Sequence, residues 1–142
     1  MTTKSLSLML LAFILLIPGI SYSQEISLYD NTGAAVAYID TSNDLTIYLW
    51  GGRPAAFLDG HSIYGFNGQH LGWLEHGIIW NHAGNAVGFI QGATNMTTQI
   101  PPIKGIQEIV PIRAIEELAP LEPLHTDNWS SVPLALFLAQ GS

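Results

Sequence analysis

Aliphatic, aromatic and small residues recur through the middle of the chain in a fixed order. Four strings share one pattern of small, aromatic, branched aliphatic, then acid or amide: Ala37-Tyr38-Ile39-Asp40, Ala56-Phe57-Leu58-Asp59, Gly72-Trp73-Leu74-Glu75 and Gly88-Phe89-Ile90-Gln91. Their starts lie 19, 16 and 16 residues apart. Four residues before each small residue stands a glycine (Gly33, Gly52, Gly68, Gly84). Eight before it stands an aromatic (Tyr29, Tyr48, Tyr64, Trp80), and nine before it an aliphatic (Leu28, Ile47, Ile63, Ile79). That many aligned columns mark an internal repeat.

Each unit predicts a β-hairpin. The glycine ends a two-residue turn, and Asn67-Gly68 and Gly51-Gly52 suit the type I′ geometry, whose central residues need φ > 0. Ala83-Gly84 suits it less, so a longer loop with a bulge is expected there. Across such a turn Ile47 opposes Ala56 and Tyr48 opposes Ala55. Side-chain alternation then divides the hairpin into two faces. One carries the small and aliphatic residues. The other carries two aromatics per unit: Tyr29 and Tyr38, Tyr48 and Phe57, Tyr64 and Trp73, Trp80 and Phe89. A lone hairpin is marginal in water, whereas four around an axis close into a barrel without edge strands. The expected fold is all-β: a shallow, pseudo-four-fold barrel over residues 24–94, aliphatics inside, aromatics outside as a contact surface.

After Thr94 the period changes. Aliphatics stand at 103, 106, 109, 112, 115, 118, 121 and 124, within a repeat that restarts at Pro102, Pro111 and Pro120. A spacing of three fits neither a helix nor a strand. It fits polyproline II, where every third side chain shares an edge, or short 3₁₀ turns. Residues 95–142 are expected to form a tail whose aliphatic stripe docks on the outer aromatics; the rival reading holds the tail out for a partner protein. Near the end, Ser131 and Pro133 predict the start of a short helix, with Trp129 and Phe137 as anchors.

Composition changes the picture at the N-terminus. Lys4, the apolar run Leu6 to Ile17, and the small residues Ser21 and Ser23 read as a signal peptide over 1–23, too short for a membrane span. The protein is therefore expected to be exported, periplasmic or secreted, with no transmembrane span after cleavage. There is no cysteine, which removes disulfides, thiol catalysis and thiolate metal sites. Cleavage leaves three basic residues against eleven acidic ones, a net charge of −8. Nucleic acid is not an expected partner, because phosphate binding needs clustered Lys and Arg.

Glycine-centred hairpins behind a signal peptide, followed by a Pro-Ile/Leu repeat and a terminal Asn128-Trp129-Ser130, resemble the bacterial four-fold β-flower family. The resemblance implies a shallow barrel with hairpin petals, similar to tubby-like domains without their central helix. It carries over no catalytic residues.

Candidate chemistry is sparse. Symmetry places Asp40, Asp59, Glu75 and Gln91 in one ring, where three carboxylates and an amide are a conceivable oxygen-ligand set for a hard cation; solvated strand ends are the plainer reading. His70, His76 and His82 lack zinc-finger spacing, and His61 and His125 are scattered. No nucleophile, base and orienting group stand together, so no enzyme, cofactor or metal is expected. The reading is an exported structural or interaction module with an unknown protein or small-ligand partner. Its alternative is a small-ligand or lipid-binding barrel with an opening on the symmetry axis.

Overall fold

A computed structural model describes residues 24–142; the expected signal peptide lies outside the described residues. Eight strands run in order: β1 (Glu25–Tyr29), β2 (Ala35–Asp40), β3 (Thr46–Leu49), β4 (Pro54–Asp59), β5 (Ser62–Gly65), β6 (His70–Glu75), β7 (Ile78–Trp80) and β8 (Ala86–Phe89). Each pairs antiparallel with its sequence neighbour, and β8 returns to β1 to close the barrel. The closing seam is narrow, a single pair between Tyr29 and Phe89.

The hairpin turns differ from the two-residue form. In all four the glycine is the last of three loop residues, with φ between +79° and +101°. The residues before it keep negative φ, so the loops are type I turns closed by a glycine bulge. Thr32 and Ala83 explain the choice, since positive φ is costly for both. The added loop residue shifts the register by one, and a second bulge within each hairpin restores it. Ile47 thus opposes Ala56 as expected, while Tyr48 opposes Pro54 rather than Ala55. The residue skipped in each bulge (Val36, Ala55, Leu71 or Val87) joins the interior.

The interior is built from Leu28, Ile39, Ile47, Ile63 and Ile79 around the small Ala37 and Ala56. A helix, α1 (Leu134–Ala139), completes it from the end that carries the glycine loops. Leu134, Phe137 and Leu138 of this helix are buried in the same cluster. A Cβ on Gly72 would press on the Phe137 ring, and one on Gly88 on Leu134. The small positions therefore leave room for α1 rather than for crowded strands alone. The short terminal helix is the one expected, and its apolar face is part of the barrel's own interior cluster. Pro133, not Ser131, stands at the N-cap, and no side chain caps the helix; packing holds it in place.

From Asn95 to Asp127 the chain carries no helix or strand. It runs around the barrel as a belt, crossing the four hairpin loops in turn. The amide N–H groups of Gln99, Glu108, Glu117 and Thr126 donate to the carbonyls of Gly33, Gly52, Gly68 and Gly84 at 2.8 to 2.9 Å. The donors are nine residues apart, so one nonapeptide spans one quarter of the barrel. Glycine is needed here for a second reason. A Cβ on these four residues would overlap the carbonyls of Thr97, Ile106, Ile115 and Leu124, again nine apart.

Candidate functional site

The outward aromatics are not a free contact surface. Tyr29, Tyr38, Tyr48, Phe57, Tyr64, Trp73 and Phe89 are all buried, and Trp80 is half-buried. They stack between neighbouring hairpins, as in the Tyr38–Tyr48 pair across β2 and β3 and the Phe57–Tyr64 pair across β4 and β5, at 5.4 and 6.0 Å. The belt lies over them with its polar side chains. The Lys104 ammonium lies 4.3 Å from the Tyr38 ring and pairs with Glu25. The Arg113 guanidinium lies 3.9 Å over Phe57. The His125 imidazole stacks on Trp80 at 3.9 Å. Burial pushes the Tyr38, Tyr48 and Tyr64 hydroxyls above their ordinary range.

The expected ring does not converge on one point. Each member meets its own belt residue instead. Gln107 donates to Asp40 at 3.0 Å, Glu116 stands beside Asp59, His125 approaches Glu75 at 3.8 Å, and Thr98 donates to Gln91 at 3.1 Å. The belt partners 98, 107, 116 and 125 again step by nine. Burial raises the Asp40 carboxyl, but hydrogen bonds from Ser42 and Gln107 together with Lys104 outweigh it and hold the group below the usual carboxylate value. Glu116 is pushed up, first by desolvation and then by Asp59. The ring is an anchoring line for the belt.

The aliphatic stripe faces the opposite way from the expected one. Ile100, Ile103, Ile106, Ile109, Ile112, Ile115, Leu118, Leu121 and Leu124 are each 92–98% exposed. The reason lies in the belt's three-residue period, which gives it distinct edges. Backbone amides and charged side chains occupy the inner edges, where they find carbonyls, carboxylates and ring faces. The aliphatics are left outside. A groove of about 530 Å³ opens beside the stripe, between Phe66, Asn67, Ile109 and Ile112; it lies off the symmetry axis.

Two histidine groups stand on the third and fourth hairpins. In one, His61 Nε2 lies 3.6 Å from Glu75 and 3.7 Å from Glu122, while His125 Nε2 lies 3.8 and 3.0 Å from the other oxygens of the same carboxylates. In the other, the buried His70 joins Ser62 at 3.1 Å to His82 at 2.8 Å. Burial, then His82, holds His70 below the usual imidazole value. It can share a proton between Ser62 and His82, but Ser62 is itself buried.

A family model described as 4-fold beta flower protein matches residues 26–138. The chain belongs to the four-fold β-flower family. No curated protein and no solved structure gives a significant match. This β-flower thus comes with its fold assigned and its chemistry still to be read from its own residues. No helix among the described residues is long and apolar enough to cross a membrane. The scattered positions of His61 and His125 do not suggest a site, and Glu122 does not stand out within the tail. A signal existed: Glu122 stands where the two preceding nonapeptides carry Lys104 and Arg113.

Proposed function

We propose that this β-flower is an exported, non-catalytic interaction module, and that its outward stripe is the surface through which copies of the chain assemble. The observation that carries the reading is the exposure of nine consecutive belt aliphatics. A side chain of this size offers roughly 100 Å² of apolar surface, so the nine amount to about one standard interface. Soluble monomers rarely leave so much contiguous apolar surface uncovered.

The shape of the stripe favours further copies over a membrane. It bends with the barrel past all four hairpin loops, so one flat surface meets only part of it, whereas several neighbours in lateral contact meet the rest. Its flanks carry Glu108, Glu116 and Glu117, which disfavour approach to anionic headgroups. The signal peptide read in residues 1–23 supports export.

The test is sedimentation velocity on the protein and on its Ile106→Lys/Ile112→Lys variant across a wide concentration range. Wild type is expected to self-associate and the variant to remain monomeric with unchanged thermal stability. A wild type that stays monomeric at every concentration overturns self-assembly. Flotation of that monomer with neutral phospholipid vesicles would hand the stripe to lipid.

A further inference from the structure

Two carboxylates, Glu75 and Glu122, and the imidazole of His61 bring one ligand atom each to within 4.8 Å of one another. None of the three Lys and Arg residues outside the signal peptide is used there. Lys104 pairs with Glu25, Arg113 donates to the Asp44 carbonyl, and Arg53 donates to Ser142. Like charges this close disfavour one another unless something positive stands between them.

The internal symmetry says what has been replaced. In the first two nonapeptides the corresponding belt position is Lys104 and Arg113, and each cation lies over an aromatic of the barrel. In the third it is Glu122, which adds a carboxylate beside Glu75 instead of a cation. The adjoining position changes as well, from Gln107 and Glu116 to His125. On the barrel, His61 takes the place held by Leu45 in the second hairpin's lead-in. Three substitutions against the repeat thus converge on one point of the surface.

We propose that His61, Glu75 and Glu122 bind a divalent first-row cation, with Zn²⁺ the ion best suited to the set. Nitrogen and carboxylate oxygens are its ordinary ligands, and bond lengths of about 2.0–2.1 Å place tetrahedral ligand atoms roughly 3.3 Å apart. The separations from His61 to the two carboxylates, 3.6 and 3.7 Å, need only a small contraction, and all three ligand atoms lie within 4.8 Å of one another, so the carboxylates close on the ion by turning about their side-chain bonds. His125 acts through Glu122. It holds the second carboxylate oxygen at 3.0 Å and is itself fixed by stacking on Trp80. Such outer partners orient the ligating oxygen and raise affinity. Because Glu122 belongs to the belt and His61 and Glu75 to the barrel, the bound ion ties the two together.

The test uses tag-free protein produced from the full sequence, stripped with a chelator and titrated with Zn²⁺ alone by calorimetry. One ion per chain is expected. Glu122→Gln and His61→Ala should each weaken binding by more than 10-fold, and His125→Ala by about 10- to 100-fold. His76→Ala should leave it unchanged. The sharpest variant is Glu122→Lys, which restores the residue type of the other nonapeptides. It should fold with the apo protein's melting temperature yet lose the upward shift that Zn²⁺ gives wild type, since an ion that binds only the folded state stabilises it. Absence of stoichiometric binding by wild type, or undiminished binding by Glu122→Lys and His61→Ala, overturns the proposal. In that case the cluster is a set of His–Glu ion pairs.

Discussion

The barrel and the belt are both repeats matched to four-fold symmetry, and they dispose of their aliphatics in opposite ways. The hairpins turn Leu28, Ile47, Ile63 and Ile79 to the axis, where each is fully buried. The belt turns Ile106, Ile115 and Leu124 to solvent and fastens itself by amides and charges. A strand has two faces, so burying one forces the other outward, and here the outer face finds its cover in the belt. A three-residue period leaves the belt an extra edge, so it can grip the barrel and still present an apolar line. The barrel is therefore held by packing and the belt by hydrogen bonds and ring contacts. Changes to the two should act at different scales.

The largest effect is expected where the barrel interior is completed. Phe137→Ala removes a ring packed against Gly72 within the central cluster and should cost about 3–5 kcal/mol, read from the denaturant midpoint. A loss below 1 kcal/mol would show that α1 is a lid on a barrel already sufficient in itself, and would reopen the axis to a ligand.

An intermediate effect belongs to the junction. Gly68→Ala meets two obstacles: φ is +88°, and the new Cβ would overlap the Ile115 carbonyl. The backbone strain alone is about 1–3 kcal/mol, and the belt must lift at that loop. Hydrogen exchange should speed at the Ala114 and Glu117 amides, which bond to Phe66 and Gly68. Amides inside β5 and β6 should stay protected if belt and barrel are separable. Exchange that speeds throughout would mean they unfold as one unit.

The two regions were also unequally legible in the sequence. The hairpin repeat could be read because a period of two assigns faces as soon as one pair is placed, and Ile47 opposite Ala56 was such a pair. Tyr48 opposite Ala55 failed because two irregularities, the three-residue loop and the later bulge, cancel over the hairpin and leave no trace in its length. The belt's stripe was legible as a stripe, but a period of three says which residues share an edge and not which edge faces inward. That choice depends on partners far along the chain, such as Gln107 for Asp40 and Lys104 for Tyr38. The cluster at His61, Glu75 and Glu122 was hidden for the same reason, since it joins three segments that only the wrapped belt brings together.

The smallest effect is expected from pH, and it sharpens the comparison because barrel and junction titrate in different windows. His70 sits in the barrel under the belt. Its amide donates to Glu117 at 2.7 Å and its ring faces Ser62 and His82, with Glu117, His61 and Glu122 as the other charged neighbours. Its folded value lies below the ordinary 6.5, so the unfolded chain takes up the proton more readily. The stability contributed by neutral His70 is whole above pH 6.5 and is lost as the pH falls from there through the folded value. Asp40, the junction carboxylate, is held below its ordinary 3.8. Its contribution is whole above that pH and is lost only as the pH falls through its lower folded value. Urea midpoints between pH 8 and 5 should therefore decline less steeply in His70→Gln than in wild type. Asp40→Asn should leave that limb unchanged and alter only the stronger-acid limb. Equal slopes for His70→Gln and wild type between pH 7 and 5 would show that burial of His70 is not the source of the acid sensitivity.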